Sequence, residues 1–307
     1  MKVLVLGGTG WLGHRIANVL AEKKLDVTIV SRGKFQDFTG NVAGIRTITA
    51  DKNDEKSMRE IFETRYTHVI DSVPSADSIA WVVKYGSAVR HYIHCSSTGG
   101  YTPLPFIPCD ETAPYRGFRS GTGWDLKRVV DNMVMELFRE KGFPATVLRP
   151  SYITGPGKLP LDNLGGRRKD FISDIIAEKV LDLPDNGEAL LHPVYVDDLA
   201  NAFYLALVHP GNSIGQIYNI SLSRAVTLNR YLEITAAAFN KHPHINYMSV
   251  DEMLTKYAGN INETGLRFLA CHMCFSIAKA QRDLEYTPSR TTEEAVEENA
   301  LWAAGIL

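Results

Sequence analysis

The feature that most constrains the fold is a set of three glycines directly after a short apolar run at the N-terminus. The run KVLVL is followed by GGTGWLG, in which Gly7, Gly10 and Gly13 are three residues apart, and WLGHRIANVLAEKK then shows the periodicity of an amphipathic helix. In a strand–turn–helix unit, the first glycine allows a tight turn, the second lets a diphosphate approach the backbone, and the third lets the helix pack closely. The spacing therefore predicts a dinucleotide-binding turn.

The rest of the first half alternates between strand and helix patterns. Strands are predicted at 26–30, 45–49, 68–73, 91–95 and 145–150, and helices at about 54–63, through IAWVVKYG, and at about 123–140. Short, nearly continuous apolar strands between amphipathic helices are typical of a parallel sheet that is covered on both faces. With right-handed crossovers, this order predicts an α/β fold with a doubly wound, Rossmann-type parallel sheet.

The composition and the pattern of apolar residues change after Pro150. YITGPGKLPLDNLGGRRKD is rich in glycine and proline and predicts a loop, strand and helix patterns return at HPVYVDDLANAFYLAL and QIYNIS, and the remainder from Thr227 is mostly helical. We therefore predict a dinucleotide-binding domain made of residues 1–157 and 187–222. A smaller, mostly helical substrate domain would comprise residues 158–186 and 223–307.

Composition narrows the class of protein. The 307 residues carry a formal net charge of −2, which favours neither nucleic acid nor a membrane surface as a partner. Nor is there an apolar run of the roughly 20 residues that a membrane span needs. Four cysteines suggest reduced thiols in a cytoplasmic protein rather than a disulfide framework. Cys271 and Cys274 are predicted to be buried thiols on a strand rather than a metal or redox site.

The end of the second predicted strand indicates which dinucleotide binds. An acidic residue there would accept hydrogen bonds from the ribose hydroxyls, but this chain has Ser31 and Arg32, with Lys34 beyond them and Arg15 on the first helix. A guanidinium binds phosphate well, so we predict NADP(H), with NAD(H) as the alternative. Asp51 is expected either to meet the adenine edge or to cap the following helix.

These residues, together with SSTGGY, LRPSYITGPG and PVYVDDLANAF, resemble the short-chain dehydrogenase/reductase superfamily, and in particular its extended branch, the NAD-dependent epimerase/dehydratase family. The resemblance implies an active-site serine at Ser97 and a ribose-binding lysine at Lys127. It also implies that Pro150 and Ser151 border the nicotinamide. The full set of predicted cofactor-binding residues is Gly7, Thr9, Gly10, Trp11, Leu12, Gly13, Ser31, Arg32, Asp51, Lys127, Pro150 and Ser151. The Asp197–Asp198 pair is explained as a helix N-cap.

The chain departs from the family pattern at the position of the catalytic tyrosine. That tyrosine stands four residues before the lysine in the family, whereas here GTGWDLK places Gly123 there. The chain thus resembles an atypical subgroup that keeps the lysine and lacks the tyrosine, similar in outline to phenylpropanoid-type reductases and to chloroplast stem-loop-binding relatives. We predict Tyr101 as the substitute acid, ahead of Tyr115, Tyr152, Tyr195 and His192, and Lys127 as a further catalytic residue that could reach the substrate oxygen directly or through water.

The resulting prediction is an NADP(H)-binding oxidoreductase or epimerase-like enzyme that reduces a small carbonyl or aromatic substrate. The alternatives are a sensor or scaffold protein that binds NADP(H) without turnover, a nucleotide-sugar epimerase or dehydratase, and an RNA-binding protein. Nucleotide-sugar enzymes of the family usually have an arginine shortly before the V-D-D segment, and EALLHPVYVDD has none. A solvated loop or an anionic-substrate site is predicted for Arg167, Arg168 and Lys169, and family analogy suggests a homodimer.

Overall fold

The computed structural model describes residues 1–33, 42–116 and 123–305, apart from the side chains of residues 123–126. We number the elements in chain order. The strands are β1 (Lys2–Leu6), β2 (Asp26–Ser31), β3 (Arg46–Thr49), β4 (His68–Asp71), β5 (His91–Cys95), β6 (Ala145–Pro150), β7 (Tyr152–Thr154), β8 (Val180–Pro184), β9 (Leu190–Leu191), β10 (Pro193–Tyr195), β11 (Ile217–Ile220), β12 (Val226–Thr227) and β13 (His244–Met248).

The helices alternate with these strands in the first half and dominate the second. They are α1 (Trp11–Glu22), α2 (Glu55–Ile61), α3 (Ala76–Tyr85), α4 (Gly123–Lys141), α5 (Phe171–Ile176), α6 (Val196–Val208), α7 (Pro210–Ser213), α8 (Leu228–Ala237), α9 (Val250–Lys256), α10 (Glu263–Leu269), α11 (Ala278–Leu284) and α12 (Thr292–Ala303). A 3₁₀ turn covers Thr98–Tyr101.

The main sheet confirms the predicted doubly wound fold. Within the described residues it has seven strands in the order β11-β6-β5-β4-β1-β2-β3, all paired in parallel. The chain runs outward from β1 to β3 and then returns to place β4 on the other side of β1. In open α/β sheets, ligands bind at the carboxyl ends of the strands where the order reverses in this way. That position lies at the ends of β1 and β4.

Helices cover both faces of this sheet, which explains why the strands are nearly continuous apolar runs. Val3 and Val5 pack with α1 and α6 on one face, whereas Leu4 and Leu6 pack with α2 and α3 on the other. All four of these side chains are fully buried. The alternation follows from the period of two in a strand, so one short run supplies both layers of the core.

A second apolar core lies in the later part of the chain. It joins side chains of α5, β8, α8 and α12, among them Phe171, Leu181, Tyr231 and Val296. The loop predicted from Tyr152 is wrong at its start, because β7 pairs with β10 there. Strands β8 and β13, which pair with each other, were not predicted. Such short, partly exposed strands lack an apolar pattern strong enough to predict a strand from the sequence. The proposed division into two domains stays a prediction.

The cysteines differ in part from the prediction. All four are free, but Cys271 and Cys274 are only half-buried and lie outside the strands, between α10 and α11. The expected pair of buried strand thiols is therefore wrong. No cluster of three or more His, Cys, Asp or Glu side chains suited to a metal ion occurs among the described residues. Within the same ranges, no helix is long and apolar enough to cross a membrane.

Candidate functional site

The glycine turn between β1 and α1 has the geometry that its sequence predicted. Gly7 has φ +80°, and a Cβ there would lie 2.7 Å from Ser72 Oγ. A Cβ on Gly13 would lie 2.1 Å from the carbonyl oxygen of Gly7, so only glycine lets α1 approach the turn this closely. A Cβ on Gly10 would meet no atom nearer than 3.4 Å, which leaves the backbone of this residue accessible to a ligand.

A cavity of about 930 Å³ opens beside this turn, at the carboxyl edge of the sheet. Seven of the predicted cofactor-binding residues line it: Gly7, Thr9, Gly10, Trp11, Ser31, Arg32 and Asp51. The other predicted cofactor-binding residues are absent from its lining, namely Leu12, Gly13, Lys127, Pro150 and Ser151. The predicted catalytic residues Ser97 and Tyr101 are absent from it as well. The cavity therefore corresponds to the turn and to the ends of β2 and β3, and the serine–lysine pair lies apart from it.

The end of β2 presents one buried hydroxyl and one exposed cation. Ser31 Oγ lies 2.6 Å from Thr9 Oγ1 and accepts a hydrogen bond from the Gly33 amide at 3.1 Å, so Ser31 holds the turn in shape. Arg32 is exposed and forms no ion pair with another described residue. Lys34 lies outside the described residues. The sequence-predicted cation at this edge of the cavity is therefore Arg32.

Asp51 and Arg15 have more defined roles than the sequence indicated. Asp51 accepts a hydrogen bond from the Asn53 amide and lines the cavity, while Asp54 caps α2 by accepting from the Ser57 amide. The alternative of Asp51 as the helix cap is therefore wrong. Arg15 forms an ion pair with Asp197 and donates to the carbonyl of Pro156 at 2.7 Å, so it is engaged within the protein.

The Asp197–Asp198 pair also differs from its prediction. The N-cap of α6 is Tyr195, which makes no side-chain cap, and both aspartates lie in the first helical turn. Asp198 accepts from the Ser289 amide at 3.0 Å. The carboxylates still complement the positive end of the helix, but they connect α6 to Arg15 and to the segment before α12 rather than capping it.

The basic cluster of the loop before α5 divides into two groups. Arg168 turns to the acidic side chains of Asp162, Asp170 and Asp174, whereas Arg167 and Lys169 line the cavity. Lys158 lines the same wall, with its Nζ 5.5 Å from the centre of the Trp11 ring. Lys158, Lys52 and Trp302 also line the cavity and were not predicted from the sequence. No sequence signal brings these distant segments together.

Ser97 and Lys127 lie together at the carboxyl end of β5, as the family pattern implied. Ser97 Oγ accepts from the Gly99 amide at 3.1 Å, and Lys127 Nζ donates to the Ser96 carbonyl at 3.2 Å. The hydroxyl of Tyr115 joins them, because it donates to the Ser97 carbonyl at 2.7 Å. Three groups that can exchange protons therefore meet around two adjacent serines.

Beneath this group lies a buried polar network centred on Arg149. Its guanidinium donates to Asp131 at 3.0 Å and to the Tyr101 hydroxyl at 2.6 Å, and it stacks 3.5 Å from the centre of the Tyr115 ring. Burial alone would raise the pKa of Asp131, but His94 and Arg149 outweigh it and lower that pKa. Burial raises the pKa of Tyr101 to about 12, and this side chain is only 2% exposed.

The other aromatic candidates form hydrogen bonds within the protein. Tyr152 accepts from the Leu161 amide, and Tyr195 donates to Glu298 at 2.8 Å. His192 is buried, and its Nε2 lies 2.7 Å from the Leu222 carbonyl oxygen. None of the three lines the cavity. Their contacts account for them as structural groups, so they are weaker substitutes for the missing phenol than Tyr101 and Tyr115.

The residues present fit a dinucleotide. The turn leaves Gly10 open, the amides at the start of α1 provide an anion-binding end, and the cavity wall carries Arg32 and Lys158. Ser151 Oγ is buried and has no hydrogen-bond partner among the described residues, which leaves it free for a bound group. A nicotinamide dinucleotide would be held by its diphosphate at the turn and by its adenosine end at β2 and β3.

Known proteins similar to this chain have different names and roles. The chain is 25% identical over 251 residues to the chloroplast stem-loop binding protein of 41 kDa b of Arabidopsis thaliana, a match that covers 77% of this chain but only 63% of that protein. It is 26% identical over 336 residues to a 3-beta-hydroxysteroid dehydrogenase of Mycolicibacterium neoaurum, covering 97% of this chain and 90% of the relative.

Solved structures and a family-wide comparison agree on the architecture. The UDP-glucose 4-epimerase of Thermus thermophilus, solved in complex with NAD, superposes over the whole of both chains with a TM-score of 0.74 at 21% identity. The sequence model of the NAD dependent epimerase/dehydratase family matches residues 3–87 and 75–221, which is more than half of the chain. The protein therefore belongs to the NAD dependent epimerase/dehydratase family.

Proposed function

We propose that the protein uses NADP(H) to reduce the carbonyl group of a small or aromatic substrate. The observation that carries this proposal is the exposed Arg32 at the end of β2, which forms no ion pair with another described residue and lies on the rim of the cavity that the glycine turn opens. An acidic side chain at this place would repel a 2′-phosphate, whereas a guanidinium attracts it. Ser31 next to it is engaged with Thr9 and leaves the arginine as the selecting group.

Ser97 and Lys127 provide the groups that a carbonyl reduction requires from the protein. When bound, the dinucleotide supplies the hydride. The Ser97 hydroxyl accepts from the Gly99 amide, so its own hydrogen remains available to the substrate oxygen. Lys127 uses one ammonium hydrogen on the Ser96 carbonyl and retains two for a ribose hydroxyl or a water.

The proton for the substrate oxygen would come from a tyrosine close to Ser97. Tyr101 was the sequence-based choice, but its hydroxyl receives a hydrogen bond from Arg149 and its side chain is 2% exposed. Tyr115 is half-buried, and its hydroxyl lies 2.7 Å from the Ser97 carbonyl. Burial raises the pKa of Tyr115 and keeps its phenol protonated at neutral pH, and the phenol would transfer its hydrogen bond from the Ser97 carbonyl to the substrate oxygen. We therefore favour Tyr115 as the proton donor.

Two alternative functions make different use of the same site. The similarity to a UDP-glucose 4-epimerase favours a nucleotide-sugar substrate, but the segment Ala189–Tyr195 before α6 lacks the arginine that such enzymes use for the diphosphate. The absent side chain at Gly123 favours a protein that binds NADP(H) without turnover. The similarity to a 3-beta-hydroxysteroid dehydrogenase supports carbonyl–alcohol chemistry instead.

A single-turnover experiment tests the proposal. Purified protein would be loaded with one equivalent of NADPH and mixed with a set of quinones, aldehydes and 3-ketosteroids, while absorbance at the reduced nicotinamide band is followed. We expect NADPH oxidation with at least one member of the set. Tight NADPH binding with no oxidation by any compound would favour the sensor alternative. Turnover of a nucleotide sugar without net oxidation of the cofactor would favour the epimerase alternative.

A further inference from the structure

Three cations on one wall of the cavity have no acidic partner within the part of the chain that the structure describes. Lys158, Arg167 and Lys169 all line the cavity, and none forms an ion pair with another described residue. Arg167 donates to the carbonyls of Leu159 and Ile153, which neutralises no charge. Like charges gathered at a low-dielectric surface repel one another unless an anion joins them. This wall is therefore built for a negatively charged ligand.

The neighbouring Arg168 shows that the arrangement is specific. Arg168 lies between Arg167 and Lys169 in sequence, yet its guanidinium lies 3.1 Å from Asp170, 3.3 Å from Asp174 and 3.6 Å from Asp162. Carboxylates are thus available in this segment and are used by the one cation that turns away from the cavity. The cations that face the cavity have none, so an ordinary solvated basic loop does not account for them.

The same wall is attached to the start of α1. The Trp11 indole donates to the Pro156 carbonyl at 2.7 Å, and Arg15 donates to the same oxygen at 2.7 Å. Lys158 follows two residues later and lies over the Trp11 ring. Because Trp11 is the first residue of α1, these contacts hold Lys158 beside the helix end whose free amides attract phosphate.

We propose that Lys158, Arg167 and Lys169 form a diphosphate clamp that holds the dinucleotide against the N-terminus of α1 from the side of the second core. The amides of the glycine turn bind the diphosphate on one side, and the three cations neutralise it on the other. The clamp rests on the proposed binding of a nicotinamide dinucleotide. Arg167 and Lys169, for which the sequence suggested either a solvated loop or an anionic-substrate site, would instead contact the cofactor.

The protonation of Lys158 supports the assignment. Although its side chain is exposed to the cavity, surrounding protein and the charge of Arg167 lower its pKa to about 8. Burial is the larger cause and the charge of Arg167 the smaller one, and an anion bound beside Lys158 would raise this pKa.

The test measures binding rather than turnover. NADPH and NADH are titrated calorimetrically into the wild-type chain, the double variant Lys158→Gln/Lys169→Gln and the control Lys179→Gln. The control removes one exposed lysine charge that is paired with Asp174 outside the cavity. Both dinucleotides should bind the double variant at least about tenfold more weakly, because each lost charge-assisted hydrogen bond costs roughly that factor. The control should bind both as the wild type does.

The outcomes separate the clamp from the proposed function. Wild-type protein that binds neither dinucleotide would refute the proposed function, and the clamp with it. Wild-type protein that binds both, with a double variant of unchanged affinity and unchanged thermal midpoint, would refute the clamp alone.

A further titration identifies the source of the anion. Inorganic pyrophosphate is added to wild-type protein that is saturated with NADPH. We expect no binding heat, because the clamp is then filled. Pyrophosphate that binds beside NADPH, and fails to bind the double variant, would assign the cations to a separate anionic substrate and overturn the clamp.

Discussion

The hydroxyl of Tyr115 donates a hydrogen bond to the backbone carbonyl of Ser97 across 2.7 Å. Lys127 reaches the carbonyl of the preceding residue, Ser96, at 3.2 Å. A phenol from a loop and an ammonium from α4 therefore converge on two adjacent peptide units. The chain carries glycine at position 123, where the family pattern has its tyrosine, and this second tyrosine lies close to the lysine that remains.

Tyr115→Phe should lower the single-turnover rate of NADPH oxidation by about 10²- to 10⁴-fold, the range expected for the loss of a general acid. Its affinity for NADPH should stay close to that of the wild type, since Tyr115 is absent from the cavity lining. Stopped-flow absorbance with the most reactive carbonyl gives the rate, and calorimetry gives the affinity.

Tyr101→Phe is the matched comparison, since it removes the other phenol near Ser97. The change leaves the buried Arg149 guanidinium without its 2.6 Å partner and should lower the free energy of unfolding by about 1–3 kcal/mol. Its effect on the rate should be smaller than that of Tyr115→Phe. The reverse order of the two rates would assign the proton to Tyr101.

Arg32→Ala should weaken NADPH binding by about 10- to 100-fold, because a charge-assisted hydrogen bond to the 2′-phosphate is lost. NADH has no such phosphate, and its affinity should change little. Calorimetric titration of both dinucleotides into both proteins measures the ratio. Equal losses for NADPH and NADH would show that Arg32 does not select the cofactor.

Gly13→Ala should destabilise the glycine turn, because the new Cβ would lie 2.1 Å from the Gly7 carbonyl oxygen. Overpacking of this kind costs about 1–3 kcal/mol, and the displaced turn should also bind NADPH more weakly. Gly211→Ala is the control, since a Cβ there meets no atom within 4 Å. Urea unfolding measures the difference, and a Gly13→Ala protein as stable as the control would contradict the close packing of α1.

His192 should make the fold sensitive to acid. Its Nδ1 accepts from the Phe275 amide at 3.0 Å and its Nε2 lies 2.7 Å from the Leu222 carbonyl oxygen, so the ring is neutral. Burial lowers its pKa from 6.5 to about 4. The unfolded chain then binds a proton more readily, so the stability is complete above pH 6.5 and falls as the pH drops toward 4, by up to about 3 kcal/mol.

Urea unfolding at pH 7, 5.5 and 4.5 measures this dependence. His91 is also buried and has a pKa of about 4, so the wild-type slope contains both histidines. The contribution of His192 is obtained as the difference from His192→Gln, whose stability should vary less with pH. An equal slope in the two proteins would show that His192 does not titrate with unfolding.

The parallel sheet and the glycine turn could be predicted from local patterns of residues. At Gly7 and Gly13 a Cβ would collide with neighbouring atoms. The runs of β1, β5 and β6 have the length of strands and are too short and too uniformly buried for amphipathic helices. These are local requirements, so neighbouring residues reveal them. The same holds for Arg32, because the end of β2 lies at a known place relative to the turn.

Which side chains share a site became clear only from the folded chain. Lys158, Arg168 and Lys169 are close in sequence, yet carboxylates hold one of them away from the cavity that the other two line. Tyr101 and Tyr115 both lie near Ser97, but the hydroxyl of Tyr101 accepts from the buried Arg149, whereas that of Tyr115 donates to the Ser97 carbonyl. The position of these side chains depends on long-range packing and on the pairing of charges between distant segments. Neither produces a periodic pattern in the sequence.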